Sequence, residues 1–202
     1  MKNILLVVII FLSLPFARRD CLKQAETDAL GRSIIPVNQD SAISPSGYFF
    51  IHYDTTGEAA PDLTDNNPNN GIPDYVDEVG IIADSARNVL INEMTYQQEP
   101  LDNDGIYDIY LSKLGDREYG WANPTNGGRS YLKIRNEYDI FSTSSLSSLQ
   151  LMRITLAHEY FHAIQYGYRK YSVSSSFTSN KYFYEMSSMW FEDILIPDGN
   201  DI

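Results

Sequence analysis

From Leu149 to Ile164 the apolar residues Leu149, Met152, Leu156, Ala157, Phe161 and Ile164 recur every three or four positions. That is the period of a helix with one buried face. Ser147 and Ser148 offer its start and Gly167 its stop. Val76, Val79, Ala83, Ala86 and Leu90 repeat the pattern and predict a helix over 74–94. Segments 48–53, 106–111 and 130–135 read as strands rich in β-branched and aromatic residues. A last helical pattern opens at Glu185 and runs to Asp193. Serine-rich stretches at 142–148 and 172–179 read as loops. The order strand, helix, strand, strand, helix, helix predicts an α+β fold, a small mixed sheet with helices packed on it.

The first seventeen residues break this pattern. Lys2, an apolar run from Ile4 to Leu14 and the small residue Ala17 read as a secretory signal over 1–17. The run is too short to span a bilayer comfortably, so no stable membrane insertion is expected after cleavage. The expected location is secreted, extracellular or at the cell surface. An N-terminal extension would follow over 18–46, then one domain over 47–202, and 202 residues suffice for one core. A mature chain with Cys21 as its single cysteine forms no internal disulfide, so its stability must come from a core, to which metals could add. A net charge of −12 argues against a nucleic-acid partner, whose phosphates need basic patches.

The 149–164 pattern carries the chemistry. His158-Glu159-Tyr160-Phe161-His162 places two imidazoles one turn apart on the same side of a helix, where both reach one metal ion. Glu159 then lies beside a water at that ion, as the general base. The bland alternative is a helix that happens to carry two histidines. Catalytic zinc sites commonly use three protein ligands and leave a position for water. The third histidine, His52, is far upstream in a strand, which turns attention to a carboxylate. Glu185 on the next helix fits; its other reading is a helix-start glutamate stabilised by the helix dipole. Glu192 lies two turns on, with Asp193 beside it. Either could accept the outer N–H of a ligating histidine, or the two could form a solvated acidic pair.

His158 to His162 with Glu185 resembles the gluzincin class of zinc metallopeptidases. The chain is also similar to a family of secreted bacterial metalloproteases. The matching stretches run through 50–53 with Thr56 and Gly57, 70–77, 107–111, 157–165, and Glu185 with Trp190, Glu192 and Asp193. Met186 and Ser188 depart from that family, which carries glycine and alanine there. The resemblance implies a zincin-like fold and peptide hydrolysis. It also implies that 130–135, before the metal helix, is the strand at the cleft edge, paired with an extended peptide or protein substrate. Tyr166, Tyr168, Tyr182 and Tyr184 are candidates to stabilise the oxyanion.

A second metal is suggested at 65–74, where Asp65, Asn67, Asn69 and Asp74 alternate oxygen side chains before a turn at Gly71. Calcium prefers such oxygens. An ordinary Asx turn capping the 74–94 helix accounts for the same residues equally well. Asp102-Asn103-Asp104-Gly105 reads as a hairpin turn. Together these patterns predict a secreted zinc-dependent endopeptidase. The alternatives are a calcium-stabilised extracellular adhesion module with an inactive zinc site, or a zinc hydrolase of non-peptide amides.

Overall fold

The structure, a computed structural model, describes residues 34–139, 146–169 and 181–195. The expected signal segment, Cys21 and the 172–179 loop lie outside these residues. The architecture is α+β: a mixed five-stranded sheet and three α-helices. The strands are β1 (Asp40–Ile43), β2 (Phe49–Tyr53), β3 (Tyr107–Ser112), β4 (Gly120–Pro124) and β5 (Ser130–Arg135), and the helices α1 (Asp74–Arg87), α2 (Ser148–Arg169) and α3 (Lys181–Leu195). Strand order across the sheet is β1-β2-β3-β5-β4. The three central strands run parallel, and β1 and β4 close the two sides antiparallel.

Alternation sets the sheet's faces. In β2, Phe49, Ile51 and Tyr53 are buried while Phe50 and His52 are partly exposed. α1 packs on β2 and α2, and α2 lies across β4 and β5. The shared core includes Ile109, Leu132, Ile134, Leu156, Ala163 and Ile164. Burying an aliphatic side chain of that size contributes about 1.5–3 kcal/mol, so the stripe on α2 anchors the helix to the sheet.

Several expectations need correction. β5 is internal, bonded on one side to β3 and on the other to β4, so the edge beside α2 is β4. The sequence hides β4 because Gly120 and Pro124 end it like a turn, and Trp121, Ala122 and Asn123 are all buried, which leaves no alternation. β1 belongs to the sheet, inside the stretch expected to be an N-terminal extension; it buries only Ala42 and shows no apolar period. α3 begins at Lys181, one turn before Glu185.

Gly167 does not stop α2, which runs on to Arg169. A Cβ at Gly167 would lie 2.8 Å from Pro100 Cδ, so the glycine permits a close approach. Gly120 does the same between β4 and α2, where a Cβ would meet Thr155 Cγ2 at 2.8 Å. The 102–105 turn leads into β3, whose neighbours are both parallel, so it joins no hairpin. α1 ends at Arg87 and continues as a π-helical turn, Asn88–Glu93. No helix among the described residues is long and apolar enough to cross a membrane.

Candidate metal centre

α2 holds the histidines on a rigid, dry face. His158, Glu159, Tyr160 and His162 are all buried, at 1% exposure or less. Tyr160 pins the helix from behind. Its hydroxyl donates to both oxygens of buried Glu99, at 2.9 and 3.0 Å, and its ring meets Phe49 and Tyr107 edge to face. Phe161 packs on Phe191 of α3, which brings the second helix alongside.

α3 places Glu185 against the histidines. Its Oε2 lies 3.2 Å from His158 Nε2 and 3.6 Å from His162 Nε2. The two Nε2 atoms are 3.0 Å apart. Among the described residues this is the only group of His, Cys, Asp and Glu side chains arranged to hold a metal, its ligand atoms all within 4.8 Å of one another. Burial raises the Glu185 carboxyl, and the two imidazoles outweigh it and hold the pKa at about 2. The carboxylate is therefore ionised at neutral pH.

The outer nitrogens fix the tautomers. His158 Nδ1 meets the carboxylate of Glu192, and a carboxylate only accepts, so that nitrogen carries the proton. His162 Nδ1 faces Gln165 Oε1 at 2.8 Å and Ser188 Oγ at 3.1 Å. Carbonyl oxygens also only accept, so this nitrogen too carries its proton. In the neutral imidazoles the lone pairs then lie on Nε2, the form in which a histidine binds a metal. Three atoms able to ligate a metal thus converge, and Glu185 Oε1 is buried without a hydrogen-bond partner. A cation is what satisfies such a set. The residues fit zinc in kind and number, two neutral imidazoles and one carboxylate.

Glu159 lies beside this set on the turn between the histidines. Its Oε2 accepts the backbone N–H of Ala122 at 2.8 Å, which ties the carboxylate to β4. Register explains why that amide is available. Tyr119 and Thr125, which flank β4, bond across to Arg135 and Arg129, so Gly120 and Ala122 turn their amides to the free edge.

The other expected residues fall elsewhere. Asp193 is exposed, and Glu192 is the one of that pair seen to reach His158. His52 pairs with Asp108 at 2.7 Å and stacks on Tyr110. Tyr168 accepts the amide of Gln97, Tyr182 is exposed, and Tyr184 is half-buried with its carbonyl held by Gln165. Tyr166 alone of the four is described against β4, its hydroxyl 3.5 Å from Ala122 O. In the 65–74 loop, Asp65 accepts the amides of Asn70 and Gly71, and Asp74 those of Asn66 and Asn67. Asn67 and Asn69 are exposed.

Sequence reasoning did not find Gln165, Ser188 or the Ala122 amide. Gln165 was legible in principle, one turn beyond His162 on the same helix face. A backbone amide leaves no such mark. No family model, curated protein or solved structure matches the chain.

Proposed function

We propose that the chain is a secreted zinc-dependent endopeptidase with a zincin-like fold. His158, His162 and Glu185 hold the metal, and Glu159 is the general base. The observation that supports this reading is the convergence of two buried imidazole Nε2 atoms and the Glu185 carboxylate, with each outer Nδ1 held by an acceptor. Zinc bound there supplies a Lewis acid that polarises a carbonyl and makes water acidic near neutral pH.

The rest follows from the protein's own groups. The Ala122 amide orients Glu159, which takes a proton from the attacking water and passes it to the leaving nitrogen. Glu192 stabilises His158 in the tautomer that offers Nε2. β4 is the outermost strand on that side of the sheet and the strand that holds Glu159. An extended peptide adding there as a further strand brings its backbone beside the general base. That outer strand is the one an extended peptide would join. It replaces the 130–135 strand, which has no free edge. Tyr166 is the tyrosine best placed to help at that edge.

The deciding experiment measures metal content of the purified chain together with cleavage of an unfolded protein. Expected are stoichiometric zinc, cleavage abolished by a chelator, and recovery when zinc is returned. A chain that takes up no zinc, or that cleaves equally well in chelator, overturns the reading.

A further inference from the structure

Resting on that metal centre, we propose that Gln165, with Ser188, is a positioning residue for metal capture. It fixes the tautomer of His162 and ties the helix bearing two ligands to the helix bearing the third. The orientation of the Gln165 amide follows from its partners. Its Nε2 lies 3.2 Å from the carbonyl oxygen of Tyr184, which can only accept, so that end is the donor. Oε1 therefore faces His162 Nδ1, at 2.8 Å, and accepts its proton. Ser188 Oγ, on a fully buried residue, is a second acceptor for the same N–H at 3.1 Å.

The other half of the device is the tie. Gln165 Nε2 also reaches Ser187 Oγ at 3.0 Å and Ser188 Oγ at 3.4 Å, all on α3. Tyr184 immediately precedes Glu185. Sliding α3 along α2 thus breaks the Gln165 bonds and withdraws the third ligand together. The two histidines are braced by different chemistry. His158 is held by a carboxylate and His162 by a neutral amide and a hydroxyl. A neutral brace sets the tautomer without placing another anion beside Glu185, Glu192 and Glu159.

The test compares the parent with Gln165→Met, Gln165→Glu and Ser188→Ala. Zinc affinity is read by competition with a chromophoric chelator. The His162 Nδ1 proton is read by NMR of the zinc-loaded, nitrogen-labelled protein. Gln165→Met should bind zinc about 10–100-fold more weakly, the range for lost outer partners of metal ligands, and its imidazole proton should exchange rapidly with water. Gln165→Glu should restore the protected proton, because a carboxylate also only accepts. Ser188→Ala, which removes one hydrogen bond, should lose about 2–10-fold in affinity. A role in helix packing alone would not move the imidazole signal.

Gln165→Met that binds as tightly as the parent, with the proton still protected, overturns the brace and leaves the metal centre standing. A parent that takes up no zinc overturns both. If Gln165→Met does not fold, the other two variants decide. A protected proton in Gln165→Glu with weakened zinc in Ser188→Ala supports the proposal. A lost proton in the first, or unchanged affinity in the second, defeats it.

Discussion

Two stretches of this chain carry the side chains that metals prefer, and they are built in opposite ways. At the α2–α3 centre, His158, His162 and Glu185 turn atoms able to ligate a metal towards one another, and the outer imidazole nitrogens are held by acceptors. In the 65–74 loop, the carboxylates of Asp65 and Asp74 each receive two backbone amides. The first leaves a carboxylate oxygen of Glu185 buried without a hydrogen bond. The second closes a turn with its own hydrogen bonds and delivers the chain into α1. The presence of ligand-type residues is common to both. The balance of donors against acceptors separates them, because a buried acceptor without a donor is costly unless a cation supplies the missing charge.

The harshest way to break that contrast is to remove the general base. Glu159→Gln keeps the size of the side chain and leaves His158, His162 and Glu185 untouched. It should retain zinc and lose about 10³-fold or more in turnover, at or above the middle of the range for general acid–base catalysis. Zinc content and turnover on the same preparation check this. A variant that cleaves at near parental rate removes Glu159 from the chemistry.

Next in size is the third ligand. Glu185→Ala should weaken zinc by more than the ~10–100-fold expected of Glu192→Ala, which loses only the partner of His158 Nδ1. Competition with a chelator ranks the two. Equal affinity in the parent and Glu185→Ala would mean that the acceptors at α2 are satisfied by some other group.

Glu99 lies between the extremes. It is buried and receives the hydroxyl of Tyr160, yet desolvation raises its carboxyl above the ordinary range. A carboxyl raised on folding contributes stability below its unfolded pKa and loses it as pH climbs through the raised value. Glu99→Gln should therefore raise the thermal midpoint at pH 7–8, by about 2–4 °C for each kcal/mol recovered. The gap over the parent should shrink on acidification. A midpoint that falls at pH 8 would mean that the charge is satisfied there, by Tyr160 and the attraction of Arg87.

How much of this was readable in the sequence depended on where each signal resides. The metal helix, α1, β2 and β5 carry long periodic runs, and β5 was expected at its observed limits. The His158, His162 and Glu185 cluster was legible because helical spacing alone brings His158 and His162 together. Glu185 followed from ligand chemistry. β4 was invisible because burial on both faces erases alternation, and with it went the identity of the edge. Gly167 misled because a glycine that permits close contact with Pro100 looks the same as one that ends a helix. Ser188, which departs from the resembled family, became intelligible only through its distance to His162 Nδ1.

The smallest effect belongs to the loop, and it tests the contrast from the other side. If Asp65 serves the turn, Asp65→Ala removes the acceptor for the Asn70 and Gly71 amides and should cost about 0.5–1.5 kcal/mol, the range of an ordinary hydrogen bond. That loss should be the same with or without calcium. A calcium ion bound only by the folded state would instead raise the midpoint steadily with its concentration. The comparison is made on protein saturated with zinc, so that the α2–α3 centre does not contribute to the shift. Parent and an Asp65→Ala, Asn67→Ala double variant are each melted over a range of calcium concentrations. The donor balance predicts parallel responses, because the backbone amides already offset part of the charge that would draw an ion. A midpoint that climbs in the parent and stays flat in the double variant would show that the loop does exchange its amides for calcium. Hydrogen bonds in the metal-free turn would then be a resting state of a site, and donor balance would no longer separate the two regions.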